Sequence, residues 1–304
     1  MVNFQKAYFI KLGRRGGWEE DCIEDGVLRL GFNNPYHDEC LRGNFDSIRQ
    51  WFEGKGKTKG VATAIVNQIR SFYESGEDNL WITFYKRKLW WAFAAPGIEQ
   101  LGDGSRIRKV VNGWKSTDIK SDVLSVDKIS GRLTKVQMFQ GTICEVKENK
   151  YLWGKINAIV SPDVERAKKS LSELVDSALP LIKSLTWKDF ELLVDLLFVN
   201  AGWKRLGVVG KTEKDIDLDL MMPVNGRRAF VQIKSSSTQT EFDEYLHTFA
   251  KNDIYHEMYF VVHTVETALQ IKDCGRPVTV INDKALSKLV VNSGMIEWLI
   301  EKAT

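Results

Sequence analysis

The chain has little cysteine: four in 304 residues, at Cys22, Cys40, Cys144 and Cys274. They are widely scattered and never in C-x-x-C spacing, so neither a disulfide framework nor a thiolate zinc site is expected. No run approaches the roughly 20 apolar residues that a membrane-spanning helix needs, and the first residues lack the apolar core of a signal peptide. These absences, with reduced thiols, lead to the expectation of a cytoplasmic protein without membrane attachment. Internal repeats and low-complexity segments are also missing. What remains is 43% hydrophobic and 27% charged, a globular composition, in a length that suits two domains.

A net charge of +3 conceals an asymmetry. Residues 1–160 hold 25 basic against 19 acidic side chains, and residues 161–304 hold 18 against 21. The N-terminal half is therefore the better anchor for a polyanion. A boundary near Ile159-Val160-Ser161-Pro162 gives domains of 1–160 and 161–304. From Asp163 to about Leu185 the pattern predicts a connecting helix with Leu171, Leu174, Val175 and Ala178 on one face, interrupted at Pro180.

The densest chemistry lies in Lys214-Asp215-Ile216-Asp217-Leu218-Asp219-Leu220 and Val231-Gln232-Ile233-Lys234. Both alternate with the period of two that defines a strand. Asp217 and Asp219 share a face opposite Ile216, Leu218 and Leu220; Gln232 and Lys234 share one opposite Val231 and Ile233. Between the strands, Pro223-Val224-Asn225-Gly226 carries the Asn-Gly signal of a hairpin turn. Adjacent strands would gather a carboxylate, an amide oxygen and an ammonium. Mg²⁺ is a hard cation held by one or two carboxylates plus waters and phosphate oxygens. Asp217 would bind it directly, with the Ile233 carbonyl or the Gln232 side-chain oxygen as a further ligand. Lys234 would orient a water and stabilise charge on a phosphate.

Upstream, Thr186-Trp187-Lys188-Asp189 predicts a capped helix start, and Phe190, Leu193, Val194 and Leu197 follow at helical spacing before a stop at Gly202. Glu191, one turn before Asp195, reaches a metal if that flank faces the hairpin; in isolation it is a solvated acid favoured by the helix dipole.

In order along the chain, Phe190-Glu191-Leu192-Leu193, Gly202-Trp203, Ile216-Asp217 and Gln232-Ile233-Lys234 resemble the Mrr-type branch of the PD-(D/E)xK nuclease superfamily. Asp217 and Gln232 are 15 residues apart, a spacing that branch tolerates. The resemblance covers roughly residues 180–304. It implies an α/β restriction-endonuclease-like core, a mixed sheet flanked by helices, and DNA cleavage dependent on Mg²⁺, with Mn²⁺ a substitute. It assigns catalysis to Glu191, Asp217, Gln232 and Lys234, and metal binding to Asp217, Glu191 and Ile233. Where many members carry a glycine-rich run, this chain has Lys211-Thr212-Glu213-Lys214-Asp215, which leaves Asp215 and Asp219 beside Asp217 as candidate ligands.

The rest of this half predicts a polar, phosphate-contacting or solvated stretch at Ser235-Ser236-Ser237-Thr238-Gln239, and a helix from Glu241 to about Lys251. Strands are expected at Met258–Val262 and Val278–Ile281, and helices at Asp283–Val291 and Met295–Lys302. His263 reads as a polar strand-end residue.

The N-terminal half holds seven of the ten tryptophans. Strands are expected at Tyr8–Ile10, Leu80–Tyr85 and Leu89–Ala94, the last two joined by the basic turn Lys86-Arg87-Lys88, with helices near Phe45–Phe52 and Lys59–Tyr73. This α+β pattern with a small curved sheet resembles the PUA-like group, whose SRA, YTH and EVE modules hold a modified base in an aromatic pocket. Candidate base contacts are Trp18, Trp81, Trp90, Trp91 and Trp114. Adjacent Trp90 and Trp91 point to opposite faces, so one can be core and the other pocket. Within the loop Gly54–Gly60, Lys57 and Lys59 are candidates to touch DNA backbone.

Joined, the two resemblances imply a modification-dependent restriction endonuclease acting on double-stranded DNA as a homodimer or a transient pair. Two other classes stay open: an effector nuclease whose N-terminal half senses a small molecule or protein, and a non-cleaving DNA-binding protein.

Overall fold

A computed structural model describes residues 1–206 and 216–304. The chain divides into two compact units, Met1–Ser161 and Pro162–Thr304. Lys214 and Asp215 lie outside the described residues.

The first unit begins with β1 (Ala7–Ile10), α1 (Glu19–Glu24), β2 (Val27–Leu30), α2 (His37–Leu41), α3 (Asp46–Gly54) and α4 (Lys59–Glu74). It continues with β3 (Leu80–Tyr85), β4 (Lys88–Ala94), β5 (Glu99–Gln100), β6 (Arg106–Lys115), α5 (Gly131–Thr134), β7 (Ile143–Glu145) and α6 (Asn149–Ile156). Among the described residues its seven strands form one curled sheet in the order β2-β6-β4-β3-β1-β7, with β5 beside β6. A register break between Trp91 and Phe93 sits where β4 meets β6, and such irregularities bend a strand. The β3–β4 turn is made by Lys86 and Arg87, both left-handed at φ +46° and +58°.

Strand alternation feeds two cores. Leu80, Ile82 and Phe84 enter one with Leu133, Leu152 and Ile156. Trp81 enters the other with Ile69 and Phe72 of α4 and Ile48 and Phe52 of α3. Trp81 has no exposed surface and Trp114 only 8%, which corrects their candidacy as base contacts. An aromatic side chain buries about 150–250 Å², a gain on the order of 4–6 kcal/mol at 25 cal/mol per Å², so the core captures it.

The second unit runs α7 (Pro162–Ser184), α8 (Trp187–Asn200), β8 (Lys204–Arg205), β9 (Leu218–Met221), β10 (Arg228–Ser237), α9 (Gln239–Lys251), β11 (Glu257–Val265), β12 (Val278–Asn282), α10 (Asp283–Asn292) and α11 (Ile296–Ala303). Among the described residues five strands form a mixed sheet, β12-β11-β10-β9-β8. Strands β10, β11 and β12 are parallel, and β9 is antiparallel to both its neighbours. One sheet face packs Val231, Ile233, Leu218 and Leu220 against Ile182 of α7, Leu193 of α8 and Val290 of α10. The other packs Phe230 and Phe260 against Phe242 and Phe249 of α9. The architecture is α/β.

Several local expectations change. Helix α7 continues through Pro180. The carbonyl deprived of its partner belongs to Asp176, which is exposed and open to water, while buried Ala178 and Ile182 hold the turn by packing. Leu171 and Leu174 are exposed at 51% and 38%, so the apolar face reaches the core only from Val175 onward. Strand β9 is shorter than the alternation suggests, starting at Leu218. Ile216 accordingly joins the Phe230 core, opposite the side taken by Leu218 and Leu220. The serines after Lys234 are strand and not loop, since β10 continues through Ser237 beside Val265. His263 sits inside β11, buried, with its ring 4.8 Å from that of Phe190. Among the described residues no helix is long and apolar enough to cross a membrane.

Candidate active site of the second unit

Helix α8 starts at a reciprocal cap: Thr186 Oγ1 accepts from the Asp189 amide at 3.2 Å and donates to Asp189 Oδ2 at 2.7 Å. With Phe190, Leu193, Val194 and Leu197 buried, the helix's rotation is fixed and Glu191 comes half-buried to one flank.

Asp217 stands one residue before β9. Leu218 opposes Val231 in the hairpin, so Asp217 falls opposite Gln232. Its Oδ2 accepts from the Gln232 side-chain nitrogen at 2.6 Å and from the Ile233 amide at 2.7 Å. In an antiparallel pair the N–H and C=O of one residue leave the strand on the same side. The Ile233 carbonyl therefore follows its amide toward Asp217, past the last β9–β10 pair. Gln232 is 3% exposed, and among the described residues its Oε1 is buried with no partner. Lys234, two residues on, pairs with Glu241 at 3.2 Å and lies 5.0 Å from the centre of the Tyr245 ring.

The electrostatics tie these groups together. Burial raises the Asp217 carboxyl above its ordinary pKa, against the opposing pull of the Ile233 amide, Lys234 and Arg205. Burial also raises Glu191, and the neighbouring Asp217 charge raises it further. Two half-desolvated carboxylates thus repel each other at a place where a cation would relieve both. Lys234 is raised: burial opposes its charge, but Tyr245 and Glu241 more than offset that.

No family model, curated protein or solved structure matches the chain.

Gln232 and the Ile233 amide thus touch Asp217, and Glu191 and Lys234 are near enough for charge to couple them to it. Asp219 does not join them, because the Arg228 guanidinium holds its carboxylate. The sequence reading missed Arg205, which donates to the Asp217 carbonyl at 3.4 Å, lies 3.8 Å from Asp195, and lowers both Asp217 and Glu191. Its signal was the alternation Trp203-Lys204-Arg205, which puts Arg205 on the side of buried Trp203. Glu241 was also legible, as the acid of a capping pattern with Thr238.

A metal fits the residues present. Asp217 and Glu191 supply two carboxylates, Ile233 a carbonyl and Gln232 an unpartnered amide oxygen, a donor set made only of hard oxygen. Among the described residues no third His, Cys, Asp or Glu joins the carboxylates.

In the first unit the tryptophans separate. Trp91 is 4% exposed and donates to the Thr117 carbonyl at 2.9 Å; Trp114 donates to that of Val27 at 3.1 Å. Half-buried Trp90 packs on the α3–α4 core and donates to Tyr85 O at 3.1 Å, so both members of the Trp90–Trp91 pair serve packing. Trp18 is likewise half-buried against that core, and in addition it lines a cavity of about 370 Å³. Lys57 and Lys59 are exposed, Lys57 in the α3–α4 connection and Lys59 as the first residue of α4.

Proposed function

We propose that the second unit is a Mg²⁺-dependent DNA endonuclease and that the first directs it to DNA carrying modified bases, in the manner of a restriction enzyme. The observation that carries the reading is the Asp217 carboxylate, clasped by Gln232 and the Ile233 amide beside Glu191 and Lys234. A binding module has no use for two mutually repelling half-buried carboxylates with a lysine alongside, whereas a phosphodiesterase does.

Asp217, Glu191, the Ile233 carbonyl and Gln232 Oε1 would hold Mg²⁺ or Mn²⁺, which supplies Lewis acidity and lowers the pKa of a water. Gln232 and the Ile233 amide fix the rotation of the Asp217 carboxylate. Lys234, steadied by Glu241 and Tyr245, orients the attacking water and neutralises charge growing on the phosphate. The new P–O bond forms in line as the bond to the 3′ oxygen breaks; the water's proton passes to solvent and the departing 3′ oxygen takes one up, leaving a 5′-phosphate and a 3′-hydroxyl. A duplex has two strands, so double-strand cleavage calls for a homodimer or a transient pair on DNA.

The test is Mg²⁺-dependent cleavage of matched plasmid or phage DNAs, unmodified or carrying methyl, hydroxymethyl or glucosylated bases, with Lys234→Ala as control. Selective cutting lost in the variant supports the reading. Equal cutting of every DNA removes base recognition and keeps the nuclease. No cutting of any DNA overturns the nuclease reading of the free protein.

A further inference from the structure

The segment Lys11-Leu12-Gly13-Arg14-Arg15-Gly16-Gly17-Trp18 connects β1 to α1 and carries three cations in eight residues. It lines the 370 Å³ cavity with Lys11, Arg14, Arg15 and Trp18, and the lining also includes Phe32 and Gln140. Such a volume lies within the range of small-ligand sites, about 300–1,000 Å³. Among the described residues the Arg14 and Arg15 guanidiniums have neither an ion-pair nor a hydrogen-bond partner. Both are exposed, so unneutralised positive charge is concentrated at the cavity. A second hollow of about 250 Å³ shares Lys11 and Arg15 with it and adds Glu19 and Thr83.

The walls are built in advance. The Arg29 guanidinium lies 4.1 Å from the centre of the Trp18 ring and is itself tied to Asp103 and Ser105, which locks the indole. A Cβ on Gly13 or Gly31 would stand 2.9 Å from Trp18, so both positions require glycine for the indole to sit where it does. Gln68 Oε1 accepts from the amides of Thr142 and Ile143 at 2.6 and 3.0 Å and pins the segment that bears Gln140. Lys11 donates to the Phe139 carbonyl, which ties its ammonium to that same segment.

Fixed aromatic walls, polar amide and hydroxyl groups, and unpartnered guanidiniums in one hollow match the chemistry of a nucleotide, a planar base with an attached phosphate. We propose that this cavity is a nucleotide-binding site, with Arg14 and Arg15 on the phosphate and Trp18 and Phe32 against the base. The nucleotide has two sources, one flipped from a DNA duplex or one free in solution. The inference rests on the first unit being the recognition module, and needs no cleavage by the second.

The experiment measures binding by the full chain in EDTA, which separates it from nuclease activity. The probes are fluorescein-labelled 16-mer duplexes with one central cytosine, 5-methylcytosine, 5-hydroxymethylcytosine or N6-methyladenine, and free AMP, dCMP and cyclic di-AMP as direct ligands. The variants are Arg14→Glu/Arg15→Glu, Gln140→Ala and, as an electrostatic control remote in sequence and outside every candidate contact, Lys120→Glu/Lys150→Glu. All altered side chains are exposed, and circular dichroism with thermal unfolding verifies the fold. The expected result is a tenfold or greater loss for the arginine pair, at least threefold for Gln140→Ala, and a smaller loss for the lysine pair. Loss confined to one modified duplex assigns a flipped base; loss confined to a free compound assigns a soluble nucleotide. Binding of no probe, or equal binding by wild type and the folded arginine variant, overturns the proposal. So does an equal loss in the lysine control, which would make the effect one of overall charge. Cleavage by the same variants is scored separately, so failure of the nuclease reading leaves this result intact.

Discussion

The Asp217 carboxylate accepts the Gln232 side-chain nitrogen at 2.6 Å, and among the described residues the oxygen of that same amide is buried without a partner. An unsatisfied buried acceptor costs about 1–3 kcal/mol, and the carboxylate beside it is raised by burial. Both penalties fall when a cation enters. Mg²⁺ or Mn²⁺ is therefore expected to raise the melting temperature of the wild type, by about 2–4 °C for each kcal/mol gained. Asp217→Asn should abolish that response, and differential scanning fluorimetry with and without EDTA checks it. An equal metal response in the variant would move the cation elsewhere.

The pH dependence has a definite sign. Asp217 and Glu191 both have folded pKa values above their ordinary 3.8 and 4.5. Between the ordinary and the raised value the folded chain keeps protons that the unfolded chain has released, so stability from these groups falls as pH rises through that window. Asp189 and Asp243 are lowered by hydrogen bonds, from Thr186 and Lys302 and from Lys272 and Gln239, and act in the opposite sense. The difference between wild type and Asp217→Asn isolates the site. In EDTA the variant should gain stability relative to wild type as pH climbs, measured by urea unfolding from pH 4 to 8. A constant difference across that range would mean Asp217 is not raised.

Arg205 acts on the carboxylates without being one of the proposed ligands. It lowers Asp217 and Glu191 and donates to the Asp217 carbonyl. In Arg205→Ala both carboxyls need a higher pH to ionise, so the rising limb of the cleavage profile should move to higher pH. Arg205→Lys, which keeps the charge, should restore part of the shift. A uniform drop in rate at every pH would instead identify a merely structural role.

Lys234→Ala should reduce the cleavage rate by about 10²–10³-fold with little change in melting temperature, the scale seen when one preorganised charge-stabilising donor is removed. Glu241→Gln keeps the ammonium and removes the charge of its 3.2 Å partner. Its expected loss is about tenfold, since Tyr245 still lies under the lysine. Single-turnover kinetics with Mg²⁺ separates the two, and a wild-type rate in Lys234→Ala would dismiss the proposed chemistry.

What was legible in the sequence follows the range of the forces involved. The cap at Thr186 and the hairpin around Asn225-Gly226 are local, encoded within a few residues, and both form. The convergence of Asp217 on Gln232 followed from strand period plus register. The salt bridge of Asp219 to Arg228 did not, because parity puts Asp217 and Asp219 on one face and only the register, Asp219 opposite Phe230, brings Arg228 within reach. Pro180 was misread since its cost is local while the compensation from Ala178 and Ile182 is tertiary. Aromatic richness in the first unit had two outlets, core and cavity, and composition does not distinguish them. Trp18, at the start of α1, is set apart by the glycines and arginines around it and by Arg29 of β2.

That separation carries the last prediction. Trp81 has no exposed surface and packs at 6.0 Å, centre to centre, on Phe72 of α4. Trp81→Ala opens a large hole in the core and should destabilise the first unit by about 3–5 kcal/mol. If the tryptophan were a base contact, the loss would instead fall on DNA binding while the melting temperature stayed put. Trp18 is half-buried beside the cavity, and Trp18→Phe keeps an aromatic ring against Arg29. This milder change should lower affinity for the proposed nucleotide several-fold with a small effect on unfolding. Measuring unfolding and binding on both variants therefore gives opposite patterns if core and cavity are divided as described. Matching patterns would show that the two tryptophans serve the same role.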